Sequence, residues 1–179
     1  IVNKQEIIMA SPDEIIIANK TSRNSAAVGE KALTPRVVRQ YLQDNTIDKE
    51  TTTILDFGAV KSAAHKLALV ADGWQCLAHE FGDNVDPRLH CELAMLNKYD
   101  VVFAYNVLNV QSSIHMFEET IEQDKSVMND GGVFFANYPL QPRKMSAAAW
   151  HMREMLQQHF TSVIWVGGKK NAPVLLMVK

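Results

Sequence analysis

The spacing of apolar residues changes along this chain, and each change marks an element. Thr34-Pro35 followed by RVVRQYLQDN places Thr34 at an N-cap and Pro35 at the first helical position, with Val37, Val38, Tyr41 and Leu42 on one face. After the polar TIDKETT, the run TILDFG is short, apolar and closed by glycine, as a strand buried on both faces should be. Residues 61–71, KSAAHKLALVA, return to helical composition, and Asp72-Gly73 stop them before the strand-like WQCLAHE. The result is a βαβ unit. The second half repeats the alternation with strand YDVVFAYNV, helix SSIHMFEETIEQDKSVMND ended by Gly131-Gly132, strand VFFANYP and helix SAAAWHMREMLQQHF. Only KKNA separates strand SVIWVGG from strand PVLLMVK, which is too short for a helical crossover, so these two must pair as an antiparallel hairpin. Near the start, Ser11-Pro12-Asp13-Glu14 reads as a capping box opening a helix, although Ile15, Ile16 and Ile17 are β-branched.

In an open parallel sheet, ligands bind beyond the carboxyl ends of the strands, so chemistry is sought in the residues after each strand. The first such loop, Asp56-Phe57-Gly58-Ala59-Val60-Lys61-Ser62, keeps the first glycine of an acid-x-Gly-x-Gly-x-Gly cofactor turn. Val60 and Ser62 stand where the other glycines would be, and a Cβ there brings either left-handed strain of about 1–2 kcal/mol or loss of a close approach. A plain strand-to-helix turn is the competing reading. Glu80 ends the second strand about 20 residues on, where an acid accepts ribose hydroxyls, or is a solvated surface acid. Phe81 is placed to lie against an adenine ring or to pack. Asn106 and Asn109 follow the next strand as amides able to hold cofactor and substrate, or to cap the following helix. Asn137, Tyr138, Arg143 and Lys144 follow the strand after that.

Composition narrows the classes. A chain of 179 residues with average apolar and charged fractions suits one globular domain over residues 1–179. No apolar run reaches the roughly 18 residues of a spanning helix, acids occupy the place of a signal-peptide core, and the two cysteines are isolated, so a cytoplasmic location is expected. The formal charge of -2 argues against an overall basic nucleic-acid binder. A local basic mouth is still possible: Lys20, Arg23, Lys31, Arg36 and Arg39 lie on the amino-terminal segment, and Arg143, Lys144, Lys169 and Lys170 lie in two loops at the carboxyl edge. Dispersed, solvated lysines are the alternative. The six histidines have no metal-ligand spacing, so no metal is expected.

ILDFGA, Glu80, KYDVVFAYNVLNVQ, GGVFFANYPLQPRK and the terminal hairpin together resemble a small class I S-adenosylmethionine-dependent methyltransferase. NSAAVGEKALTPRVVRQYL is similar to the opening segment of methyltransferase-like proteins of phages and bacterial DNA-modification islands. The resemblance implies a three-layer α/β Rossmann-like sheet, mostly parallel, with an antiparallel carboxy-terminal hairpin and a lid segment over about residues 1–33. Because only 18 residues separate Glu80 from YDVV, the third strand is expected to be short or missing. S-adenosylmethionine is the implied cofactor, with Asp56, Gly58, Ala59 and Val60 toward its methionyl part, Glu80 at the ribose, Phe81 at the adenine and Asn106 alongside. Asn106, Asn109, Asn137 and Tyr138 are the implied catalytic positions. Lys31, Arg143, Lys144, Lys169 and Lys170 are the expected contacts to a nucleic acid or another anionic substrate. The alternatives are a protein of the same fold that has lost turnover and binds a nucleotide or a protein partner, and an NAD-dependent oxidoreductase, which the hairpin disfavours.

Overall fold

The computed structural model describes residues 11–14, 16, 32–138, 149–170 and 172–179, so Lys31, Arg143 and Lys144 lie outside the described residues. Six strands, β1 (Thr53–Phe57), β2 (Gln75–His79), β3 (Tyr99–Ala104), β4 (Met128–Asn137), β5 (Ser162–Lys169) and β6 (Ala172–Val178), form one sheet in the order β2-β1-β3-β4-β6-β5. The first four strands run parallel, and β6 lies antiparallel between β4 and β5. The expected hairpin is present. Between β2 and β3 there is no strand, only single 3-10 turns at Gly82–Asn84 and Ala94–Leu96, so the third strand is missing and β2 is a sheet edge.

The central strands β1, β3 and β6 are apolar almost throughout because both their faces are covered, whereas the edge strands β2 and β5 are partly exposed. Successive side chains point to opposite faces, and the two apolar clusters divide accordingly. Leu55, Phe57, Val102, Phe134 and Met177 pack with Phe117 and Ile121 of α3 (Ile114–Ser126) and with Met152 and Leu156 of α4 (Ala149–His159). Ile54, Val101, Phe103, Phe135 and Leu176 pack with Val38 and Leu42 of α1 (Leu33–Asp44) and Leu69 of α2 (Ala64–Ala71). Each such buried side chain contributes about 1.5–3 kcal/mol, and the two sets make three layers.

Three expectations need correction. Helix α1 starts at Leu33, with Ala32 as its N-cap, and the Thr34 hydroxyl is spent on Asn137 rather than on its own helix. Helix α3 ends at Ser126, four residues short of the expected Asp130, because Gly131-Gly132 do not stop a helix. They lie inside β4, at an irregularity against β3 where the register passes from Tyr99–Met128 to Val101–Val133. A Cβ on Gly132 would come 2.8 Å from the Asn129 carbonyl oxygen, so the backbone approach there needs glycine. At the other end of the chain the capping box does form: Ser11 N–H donates to Glu14 at 2.9 Å and Glu14 N–H to Ser11 Oγ at 3.3 Å. Glu14 then accepts a bond of 2.7 Å from Ser113, the N-cap of α3.

Candidate functional site

At the carboxyl edge, β1 passes into α2 through residues 58–63. Gly58 has φ +71°, and a Cβ on it would lie 2.5 Å from Val107 Cγ2, so only glycine fits against the loop after β3. The amides of Gly58 and Ala59 both donate to the His79 carbonyl, at 2.9 and 3.0 Å, tying the turn to the end of β2. Val60 has φ +52°, a left-handed conformation that costs a β-branched residue about 1–2 kcal/mol. The second strained position is Ala63, at φ +45°, and not Ser62 as the glycine spacing suggested. Ala63 is also the N-cap of α2, which begins at Ala64 and not at residue 61 as its composition suggested.

Both polar atoms of the Val60 peptide have partners. Its N–H is turned toward the Glu80 carboxylate and draws that acid toward the ionised form, and its carbonyl lies 2.9 Å from His90 Nε2. His90 Nδ1 accepts the Asp86 N–H at 2.9 Å, which assigns the ring proton to Nε2. Glu80 is 9% exposed at the end of β2 and also accepts the Phe81 N–H at 2.7 Å. Burial raises its pKa, and these two amides pull it back toward the ionised form. Phe81 stands edge-on to Phe57, 5.3 Å between centroids, and to His79 at 4.6 Å. Asp56 lies beneath the turn, fully buried. Desolvation pushes its pKa up to about 8, opposed by the Lys66 N–H in the first turn of α2 and assisted by the nearby Glu80. Its Oδ2 has no hydrogen-bond partner.

Across the edge, Asn106 and Asn137 come together. Asn106 N–H donates to Asn137 Oδ1 at 2.8 Å, Asn137 Nδ2 donates to Asn106 Oδ1 at 2.7 Å, and Thr34 Oγ1 donates to Asn137 Oδ1 at 3.1 Å. This brace joins the ends of β3 and β4 to the start of α1. Asn109 is 6% exposed and its Oδ1 has no partner; Gln111 is also buried, with Nε2 donating to the Val107 carbonyl at 2.8 Å and Oε1 unpartnered. Tyr138 packs in the larger apolar cluster, where burial pushes its phenol up to about 12.

Between the amino-terminal ends of α1 and α2 opens a cleft of about 160 Å³, lined by Pro35, Arg36, Arg39, Ala64 and His65 among others. Arg39 pairs with Asp72, while the Arg36 guanidinium is exposed. His65 is buried and stands edge-on to Tyr105, 5.7 Å between centroids; burial, and then Arg39, hold its pKa down. Lys169 and Lys170 sit at the β5–β6 turn, four strand positions from β1, or roughly 19 Å at the usual strand spacing. The sheet therefore does not bring them to the glycine turn. No group of three or more potential metal ligands occurs among the described residues, and no helix among them is long and apolar enough to cross a membrane.

Sequence reasoning missed Thr34, His65, His90 and Gln111 as parts of this edge. The short segment after Glu80 signalled a missing strand, but nothing in it singled out His90.

No protein-family model matches the sequence, and no curated protein matches it. Solved structures do. The 1,6-didemethyltoxoflavin-N1-methyltransferase of Burkholderia thailandensis, with bound 1,6-didemethyltoxoflavin and S-adenosylhomocysteine, superposes with TM-score 0.63 at 15% identity over 96% of this chain and 91% of that one. PigF with SAH gives 0.57 at 13% identity over 81% of this chain and 55% of that one, and DszA carbon methyltransferase gives 0.57 at 13% over 81% and 52%. The chain thus spans about half the length of the latter two. At such identities the likeness bears on architecture, and together with the strand order and the antiparallel hairpin it establishes the Rossmann-like fold of class I methyltransferases.

Proposed function

We propose that this protein binds S-adenosylmethionine at the β1–β2 end of the sheet and transfers its methyl group to an acceptor carrying an anionic group. The observation that carries the reading is the meeting of Glu80 with the glycine turn, through the Val60 amide, at the carboxyl edge. The residues present fit the cofactor: Glu80 is a buried carboxylate able to accept ribose hydroxyls, and Asp56 offers an unpartnered oxygen beneath the same turn. The structural neighbours with bound S-adenosylhomocysteine or SAH point the same way.

Bound S-adenosylmethionine supplies an electrophilic methyl group on a sulfonium, and the chain's part is chiefly alignment. Phe81 flanks the adenine. The paired amides of Asn106 and Asn137 are already engaged with each other, so they hold the loop in place. The unpartnered oxygens of Asn109 and Gln111 are the acceptors free to orient an N–H or O–H of the acceptor molecule. Arg36 at the cleft supplies positive charge for phosphate or carboxylate, and a nucleic acid is one such acceptor.

Val60 in a glycine's place favours a second reading, a nucleotide-binding protein of this fold without turnover. Calorimetric titration separates the two. Micromolar binding of S-adenosylmethionine and S-adenosylhomocysteine is expected, and Glu80→Ala should weaken it by at least about tenfold, or 1.4 kcal/mol, with the circular dichroism unchanged. Absence of heat and of a thermal shift at millimolar ligand would remove both cofactor and activity.

A further inference from the structure

We infer that His90 is a positioning residue for the adenosyl site: by holding the Val60 carbonyl it lets valine occupy a turn position that otherwise requires glycine. The inference rests on the cofactor reading above. A left-handed valine persists only where its surroundings fix it, and here His90 Nε2 holds the peptide carbonyl at 2.9 Å while the Glu80 carboxylate stands beside the N–H.

The grip is itself anchored. His90 receives the Asp86 N–H on Nδ1, and the Asp86 carboxylate is fixed by the Arg88 side chain through bonds of 3.0 and 2.8 Å. The next residue, Cys91, donates its N–H to the Ala78 carbonyl at 2.9 Å, which pins this stretch to β2. The stretch that replaces the missing third strand therefore carries the support that the missing glycine made necessary. Glu80 belongs to the same unit. Were Val60 to relax to an ordinary φ, its N–H would leave Glu80, the acid proposed to meet the ribose, and the turn would no longer present the shape an adenosyl ligand needs. His90 thus acts through Val60 and Glu80, not by touching the ligand.

A double-mutant cycle with S-adenosylhomocysteine as the probe tests this, because glycine at position 60 needs no support. His90→Leu should weaken binding by at least about tenfold in the natural background and by less than about threefold when combined with Val60→Gly. His90→Gln, whose amide N–H can reach the Val60 carbonyl, should stay within about threefold of the natural protein. Equal losses from His90→Leu in both backgrounds, or no loss in either, would overturn the inference. A ligand-free readout separates its failure from that of the cofactor reading: amide exchange at Val60 should speed by at least about tenfold in His90→Leu even if no adenosyl compound binds. If His90→Leu does not fold, folding of Val60→Gly/His90→Leu supports the inference, and failure of that variant too overturns it.

Discussion

Two residues at the carboxyl edge, Val60 and Asn106, share a left-handed backbone, φ +52° and +58°, each in the loop after a parallel strand. Asparagine tolerates this conformation because its short amide bonds locally, and the Asn106 side chain pairs with Asn137. Valine has no such recourse, so its peptide is held from outside by a carboxylate and an imidazole. Both loops are held by distant residues, but the strained Asn106 returns the bond through its own side chain to Asn137, 31 positions away. The Val60 side chain contributes none, and the support comes wholly from residues 20 and 30 positions on.

The largest effect should come from breaking the neutral pair. Asn137→Leu leaves the Asn106 N–H, the Asn106 side-chain Oδ1 and the Thr34 hydroxyl without their partner, and urea unfolding should show a loss of about 3–4 kcal/mol. A loss below about 1 kcal/mol would mean that water replaces these bonds without penalty. The second test exploits titration beneath the β1 turn, where Asp56 lies buried. The Asp56 pKa rises from 3.8 to about 8 on folding, so between those values the folded state holds a proton that the unfolded chain has released. The Asp56 contribution to stability therefore falls as pH climbs from about 4 to 8. Asp56→Asn should remove that fall, on the order of 2–3 kcal/mol at pH 8 relative to pH 4, and Asp124, which burial also pushes up, adds a fall of its own. Parallel pH profiles for the two proteins would show that Asp56 does not hold its proton.

The smallest effects discriminate the two loops most finely. Glycine at Asn106 loses a working amide pair and should destabilise by about 1–2 kcal/mol. Glycine at Val60 trades strain relief against added freedom in the unfolded chain, so thermal unfolding should place it within about 1 kcal/mol of the natural protein. Equal costs at both positions would erase the distinction.

The sequence made much of the architecture legible, because burial on two faces writes itself as apolar strands such as TILDFG and YDVVFA, and a short connection such as KKNA leaves only a hairpin. The 18 residues after Glu80 likewise foretold the missing strand. Boundaries fared worse where a glycine or threonine had two uses. Gly131-Gly132 serve a close backbone approach inside β4, and Thr34 serves Asn137 across 103 positions, and neither use leaves a local pattern. At the site, Glu80 was foreseeable from its distance to Gly58. His90 was not, because imidazole recognition of a distant carbonyl has no sequence period. Ser62 misled because the left-handed position falls at Ala63, the N-cap of α2.

The bond from Cys91 to Ala78 has a consequence for the outer margin of the molecule. A terminal strand exposes a row of unpaired carbonyls and amides that can template unwanted pairing between molecules. With no neighbour beyond β2, an irregular ribbon of peptide sealing one of those carbonyls takes over part of a guard duty that a further strand would have performed. Deleting that ribbon would therefore do two kinds of harm at once, baring a sticky rim and slackening the turn it steadies.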